Sequence, residues 1–142
     1  MALKNTYAKL PAGRYIQETQ DALVKAGAIG IQSSYEDGRI TTIAFILNLN
    51  GQTVQFRLPV NWKNFQNVLR KEKNRRADED EYCYKVAWAC TKDWVEAQMA
   101  FVESENVTIP QVFLPYAVTN NGQTLFEKVA DTPGLLLGDG NK

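Results

Sequence analysis

The sequence predicts an α+β domain: a three-stranded antiparallel meander packed against a long amphipathic helix and shorter flanking helices. Three observations carry that prediction. The runs "AIGIQSSY", "ITTIAFILNL" and "QTVQFRL" are rich in β-branched and aromatic residues and are separated by Asp37-Gly38 and Asn50-Gly51, both signals of tight hairpin turns. Between Asp80 and Ser104, apolar residues recur at three- and four-residue steps. A chain of 142 residues that is 44% hydrophobic can bury a core without disulfides or metal. The expectation is therefore a single domain over 1–142, with 1–11 and 138–142 frayed and 71–81 a charged connection.

The first helix is read over 12–26, with Ile16, Leu23 and Val24 as its apolar stripe and Gly27 as its stop. In the meander, a two-residue turn at Asn50-Gly51 pairs Leu47 with Val54, Phe45 with Phe56 and Ile43 with Leu58, which makes one wholly apolar face. A two-residue turn at Asp37-Gly38 would put Ile29 and Ile31 on the opposite face, because a one-residue slip turns every side chain over. A three-residue loop Glu36-Asp37-Gly38 with a bulge instead pairs Ile31 with Ile43 and Ile29 with Phe45, and it is the expected turn. The other face then carries Gly30, Gln32, Ser34, Thr42, Ala44, Gln55 and Arg57, with Arg57 beside Ala44 and across from Gly30.

After Pro59, Asn61 caps a helix over 62–71 whose stripe is Trp62, Phe65, Val68 and Leu69. "KEKNRRADEDEY" has one apolar residue besides its final Tyr82, namely Ala77, and reads as a mobile charged connection or a solvated helix extension. The long helix begins with Asp80 and Glu81 at its positive end. Its core stripe is read as Cys83, Val86, Ala87, Cys90, Trp94, Ala97 and Phe101, widened by Trp88, Val95, Met99 and Val102. Pro110 starts a short turn after Thr108, Pro115 breaks the segment beyond it, and Thr124 and Glu127 have capping-box spacing for a last helix. The tail "DTPGLLLGDGNK" is expected to dock Leu135 to Leu137 on the core or on a partner.

Composition narrows the chemistry. There is no histidine, which removes Ser-His-Asp and Cys-His catalysis and His-ligated metal sites. Cys83 and Cys90 lie about 10 Å apart along a helix, too far for a disulfide, and two cysteines do not make a structural zinc site. No glycine pattern matches a phosphate loop, a dinucleotide fingerprint or a nucleophile elbow. Asp93 and Glu96, at i and i+3, are the one candidate acid and base pair, against an ordinary Lys92–Glu96 pair on a solvated flank. No run reaches the roughly 18 to 20 apolar residues of a membrane span, and "MALKNTYAKLPAGRY" lacks a signal-peptide core, so a cytoplasmic protein is expected.

The formal charge is zero, yet residues 57–76 carry seven basic groups and one acid while residues 77–105 carry eight acids and two bases. A nucleic-acid module is more often basic throughout. Arg57 over small residues offers bidentate donors to a phosphate or carboxylate; the alternative is that it covers the sheet or pairs with a nearby acid. Trp62, Trp88 and Trp94 with Tyr82, Tyr84 and Tyr116 can stack bases beside the basic segment, whereas helical spacing places such residues in a core. Exposure of Trp88 decides whether the long helix is a binding face.

The order of "AIGIQSSYEDGRITTIAFIL", "VQFRLPV", "KVAWACTKDWVEAQMAFVE", "VFLPYAV" and "GQTLFEKV" resembles a widespread group of small uncharacterised phage and prophage proteins. Cys90 stands where relatives are expected to have a bulkier or basic residue. The resemblance implies a viral setting inside a bacterial cell and supplies no catalytic residues and no cofactor. It leads to the expectation of a non-enzymatic accessory protein that binds and blocks a host target, either a defence protein or its anionic nucleotide messenger. Arg14, Arg57, Lys63, Arg70, Lys71 and Trp88 are the ligand-binding candidates. The alternative is a nucleic-acid-binding module in phage DNA replication or recombination. The aromatic surface and apolar tail point to a homodimer.

Overall fold

The structure is a computed structural model and describes residues 2–137. Its α+β architecture is the one predicted: β1 (Gly30–Glu36), β2 (Arg39–Leu49) and β3 (Gln52–Pro59) form an antiparallel sheet in that order. Helices α1 (Ala12–Lys25), α2 (Trp62–Lys71), α3 (Asp80–Glu103), α4 (Ile109–Phe113), α5 (Leu125–Asp131) and α6 (Gly134–Leu137) surround it. One hydrophobic cluster joins α1, all three strands' inner face, α2, α3 and α4.

The β2–β3 hairpin follows the expected register from Leu49 opposite Gln52 to Ile43 opposite Leu58. Asn50 and Gly51 both take positive φ, 52° and 87°, which matches the right-handed strand twist. Ile43, Phe45, Leu47, Phe56 and Leu58 are buried on the face they share. Phe45 stacks on Phe56 at 5.3 Å, and Phe113 of α4 meets Phe45 edge-on at 5.2 Å. Burying each such ring contributes about 1.5 to 3 kcal/mol.

The β1–β2 register differs from the expectation. Asp37 (φ 52°) and Gly38 (φ 79°) form a two-residue turn that pairs Glu36 with Arg39. The parity slip is absorbed further along, where Tyr35 pairs with Ile40, Ser34 with Thr42, and Thr41 is the extra residue. The bulge is held from outside β1: the Thr41 carbonyl accepts from the Val60 amide at 2.7 Å, and the Tyr84 hydroxyl bonds both the amide and the carbonyl of Ile40. Ile31 therefore stays on the core face but opposite Phe45, and Ser33 takes the place opposite Ile43. Ile29 precedes β1 and is exposed.

Helix stripes are corrected in detail. Val24 of α1 is exposed, and Tyr15 and Thr19 are buried instead, the Thr19 hydroxyl donating to the Tyr15 carbonyl at 2.8 Å. In α2 the exposed Val68 yields its place to Gln66, whose amide donates to the Ala77 carbonyl and to Asp80. In α3 every residue from Tyr82 to Ala89 except Lys85 is buried, because α1 and α2 both pack against it. Its buried path then runs through Val95 toward Met99 and Val102, leaving Ala97 exposed and Phe101 52% exposed.

Both chain ends and the charged connection also differ from the sequence expectation. Residues 2–11, expected to fray, lie against α2 and α3, with the Leu3 amide donating to both carboxylate oxygens of Glu72 at 2.8 and 3.0 Å. Residues 72–79 form a compact turn around buried Ala77 rather than an open connection. Leu135 and Leu136 are exposed, not docked; the Leu137 side chain and the expected fraying of 138–142 lie outside the described residues. Thr124 and Glu127 do form the capping box of α5.

Candidate anion-binding groove

Helix α2 ends on a left-handed residue that is not glycine. Lys73 takes φ 57°, and the carbonyls of Arg70 and Leu69 accept from the amides of Lys73 and Asn74. The chain then folds back: the Asn74 side-chain oxygen accepts from the Arg76 amide at 2.8 Å, and the Asn74 carbonyl accepts from the Ala77 amide. This reversal sets Lys73, Arg75 and Arg76 on one tight turn at the start of α3.

Tyr82, in the first turns of α3, ties that turn to the N-terminal segment. Its hydroxyl donates to the Thr6 carbonyl at 2.7 Å and accepts from the Asn74 side-chain amide at 3.1 Å. The Arg76 guanidinium lies 4.3 Å from the centre of its ring. Arg76 also bonds Glu79; that bond raises the Arg76 pKa above its ordinary value and lowers that of Glu79. Further along α3, the Asn5 amide donates to Asp93 at 2.9 Å, and the Cys90 thiol bonds the Lys4 carbonyl.

Between this N-terminal strap and the turn lies a groove of about 650 Å³. Its lining includes five cations, Lys9, Lys73, Arg75, Arg76 and Lys85, and no acid. Among the described residues, Lys9, Lys73, Arg75 and Lys85 form no salt bridge. Tyr7 stands at the rim, 90% exposed. A concave set of four unpaired cations and the Glu79-paired Arg76, beside an exposed aromatic ring, can take phosphate groups and stack a planar ring.

None of the six sequence candidates lines this groove. Trp88 is 0% exposed and its indole N–H donates to the Ile40 carbonyl at 3.2 Å, so it is core and presents no binding face. Arg57 lies across Ala44 from Gln32 rather than Gly30, and it donates to the Gly122 carbonyl at 2.7 Å. That carbonyl belongs to a small hairpin whose Ala117 bridges Phe56, so Arg57 braces the edge of β3. Arg70 is bonded to Asp78 at 2.9 Å. Arg14 and Lys71 are exposed on α1 and α2, and Lys63 lines a separate cleft of about 300 Å³ with Glu36 and Trp62.

The Asp93 and Glu96 carboxylates both engage Lys92, at 2.9 and 3.6 Å. Burial pushes Asp93 up, but the Asn5 amide and the Lys92 ammonium outweigh it and hold it below the usual carboxylate range. Burial raises the Cys83 and Cys90 thiols, which disfavours the reactive thiolate.

The sequence pattern points to the basic segment but favours its helical residues. The groove uses the turn after α2 together with Lys85 and the strap, whereas Tyr7 and Lys9 fall in the end expected to fray. The readable signal is the cluster of cations in "KNRR" placed directly before an acidic helix start. Comparison with protein-family models, curated proteins and solved structures gives no match.

Proposed function

We propose that this protein is a non-enzymatic binding module that captures a phosphorylated nucleotide in the groove between the N-terminal strap and the α2–α3 turn. The observation that carries the reading is the lining of five cations and no acid, with Tyr7 exposed at the rim. A groove of about 650 Å³ has the size of a small-molecule site. Hydrogen bonds from charged donors each contribute about 1.5 to 3 kcal/mol, so two or three phosphate contacts suffice for useful affinity. The phage resemblance supports the cellular role: an accessory protein that withholds a host nucleotide messenger and thereby blocks defence.

The test is calorimetric titration of the full chain with mononucleotides, linear and cyclic dinucleotides and a single-stranded oligonucleotide. Lys73→Ala/Arg75→Ala is expected to weaken nucleotide binding at least about tenfold, and Arg57→Ala to leave it unchanged. Absence of nucleotide binding, or binding indifferent to the double substitution, removes the proposal. Preference for the oligonucleotide, with affinity falling steeply as salt rises, replaces it with the nucleic-acid reading.

A further inference from the structure

The two edges of the sheet are treated differently. On the β3 side, Ala117 bridges Phe56, the Val118 amide donates to the Gln55 carbonyl at 2.8 Å, and the strand carries a charge at Arg57 and ends on Pro59. These are devices that prevent further pairing. On the β1 side there are none. Residues 26–35, "AGAIGIQSSY", contain neither a charge nor a proline, in a chain where 23% of residues are charged.

The ladder fixes which groups are free. The tight turn at Asn50-Gly51 commits the odd-numbered residues of β2 to β3, so Thr42, Ala44 and Ile46 bond β1 through Ser34, Gln32 and Gly30. The backbone groups of Ile31, Ser33 and Tyr35 consequently point away from the sheet. Among the described residues no hydrogen bond reaches them; the one contact there is from Gln20 to the Ser33 hydroxyl. Tyr35 is 64% exposed.

We infer that β1 pairs antiparallel with β1 of a second copy of this chain, across a two-fold axis at Ser33. In that register Ile31 meets Tyr35 of the other copy, Ser33 meets its equivalent, Gln32 meets Ser34, and Gly30 meets Glu36. The three outward-facing residues are the ones that bond. On the core side Ile31 packs on Tyr35 at both ends of a central Ser33 pair, and on the solvated side Gln32 meets Ser34. The single charge in the strand, Glu36, falls at opposite ends and about 20 Å from its copy, so no like charges oppose one another. The result is a continuous six-stranded sheet whose outer edges are the two protected β3 strands.

The measurement is the mass of the full chain in solution, by light scattering after size exclusion, from low to high micromolar concentration. The wild type is expected at twice 16.0 kDa. Gln32→Lys/Ser34→Lys sets like charges together at both 32–34 contacts and is expected to weaken the dimer about tenfold or more; Gln32→Lys/Ser34→Glu sets opposite charges together and is expected to keep it. A monomer at all concentrations overturns the inference. So does a dimer indifferent to the Lys/Lys variant, which places the interface elsewhere, or one lost in both variants, which excludes this register. Amide exchange on the wild type needs no substitution: the Ile31, Ser33 and Tyr35 amides are protected at high concentration and released on dilution, and protection independent of concentration counts against the pairing.

Discussion

Trp88 and Tyr84 show how aromatic residues that resemble a binding face serve the backbone instead. The bulge at Thr41 turns the amide and carbonyl of Ile40 away from β1, and buried backbone groups need partners. The Tyr84 hydroxyl takes both, and the Trp88 indole adds a second donor to the carbonyl. Burial raises the Tyr84 phenol above its ordinary value, which keeps the donor protonated. Arg39 completes the arrangement: its guanidinium lies 5.2 Å from the Trp62 ring and 5.5 Å from that of Tyr84, with Glu81 at 3.3 Å. The two rings offset part of the cost of its buried, unpartnered Nε. Trp88→Phe removes one donor while Tyr84 still satisfies Ile40, so the expected loss is about 1 to 2 kcal/mol in denaturant unfolding. Trp88→Ala adds a large cavity and is expected to cost about 3 to 5 kcal/mol. A cost for Trp88→Ala of under about 0.5 kcal/mol, the range of surface substitutions, contradicts the buried placement.

Two helices end on residues forced into the left-handed region without being glycine. Glu105 takes φ 64° after α3, where the Phe101 and Val102 carbonyls accept from Asn106 and Glu105, and Lys73 does the same after α2. That conformation costs a side-chain-bearing residue about 1 to 2 kcal/mol, and Glu105 adds a negative charge at a negative helix end. Glu105→Gly is therefore expected to stabilise by about 0.5 to 1 kcal/mol after the entropy of the unfolded glycine is counted. Lys73→Gly is expected to stabilise similarly while weakening nucleotide binding, a separation readable by melting and titration on one sample. If Lys73→Gly destabilises, the turn geometry is wrong. These left-handed residues are invisible to pattern reading because neither is the Gly that signals them, unlike Gly27 after α1, although the sequence places both helix ends within one residue. The β2–β3 hairpin is legible because Asn50-Gly51 admits one register. The β1 register is not, because its bulge is held by Val60 and Tyr84, residues far away in sequence. The stripe of α3 is misread past Cys90 for a related reason: its first half is buried on every face but that of Lys85, so no periodicity there indicates which face continues inward.

At the scale of the molecule, a formal charge of zero conceals two opposed grooves. The basic one lies at the start of α3, by Tyr82 and Lys85. A second, of about 610 Å³, lies at its far end and is lined by Glu18, Asp21, Glu96 and Glu103 against Lys25. The rise of the helix puts roughly 20 Å between them, well beyond the screening length of about 8 Å at physiological salt, so the acidic end does little to weaken anion binding at the basic end. In the proposed site, binding depends on the strap, which brings Tyr7 and Lys9 to the groove. Glu72 makes the two influences separable, because it is an acid close to a basic groove and also the anchor of the Leu3 amide. Glu72→Gln removes the charge and keeps an acceptor, so nucleotide affinity is expected to rise, by no more than about twofold for one exposed charge outside the groove lining. Glu72→Ala/Asn5→Ala removes the same charge but also loosens the strap, which keeps its bonds from Tyr82 to Thr6 and from Cys90 to Lys4. If electrostatics dominated, this variant would also gain affinity. Poorer placement of the Tyr7 ring and the Lys9 ammonium outweighs that gain, since stacking alone contributes about 1 to 3 kcal/mol. The double variant is therefore expected to bind nucleotide at least about threefold more weakly than the wild type, with the core fold unchanged by circular dichroism. A gain in affinity in both variants shows that the strap takes no part in the site and confines it to the α2–α3 turn.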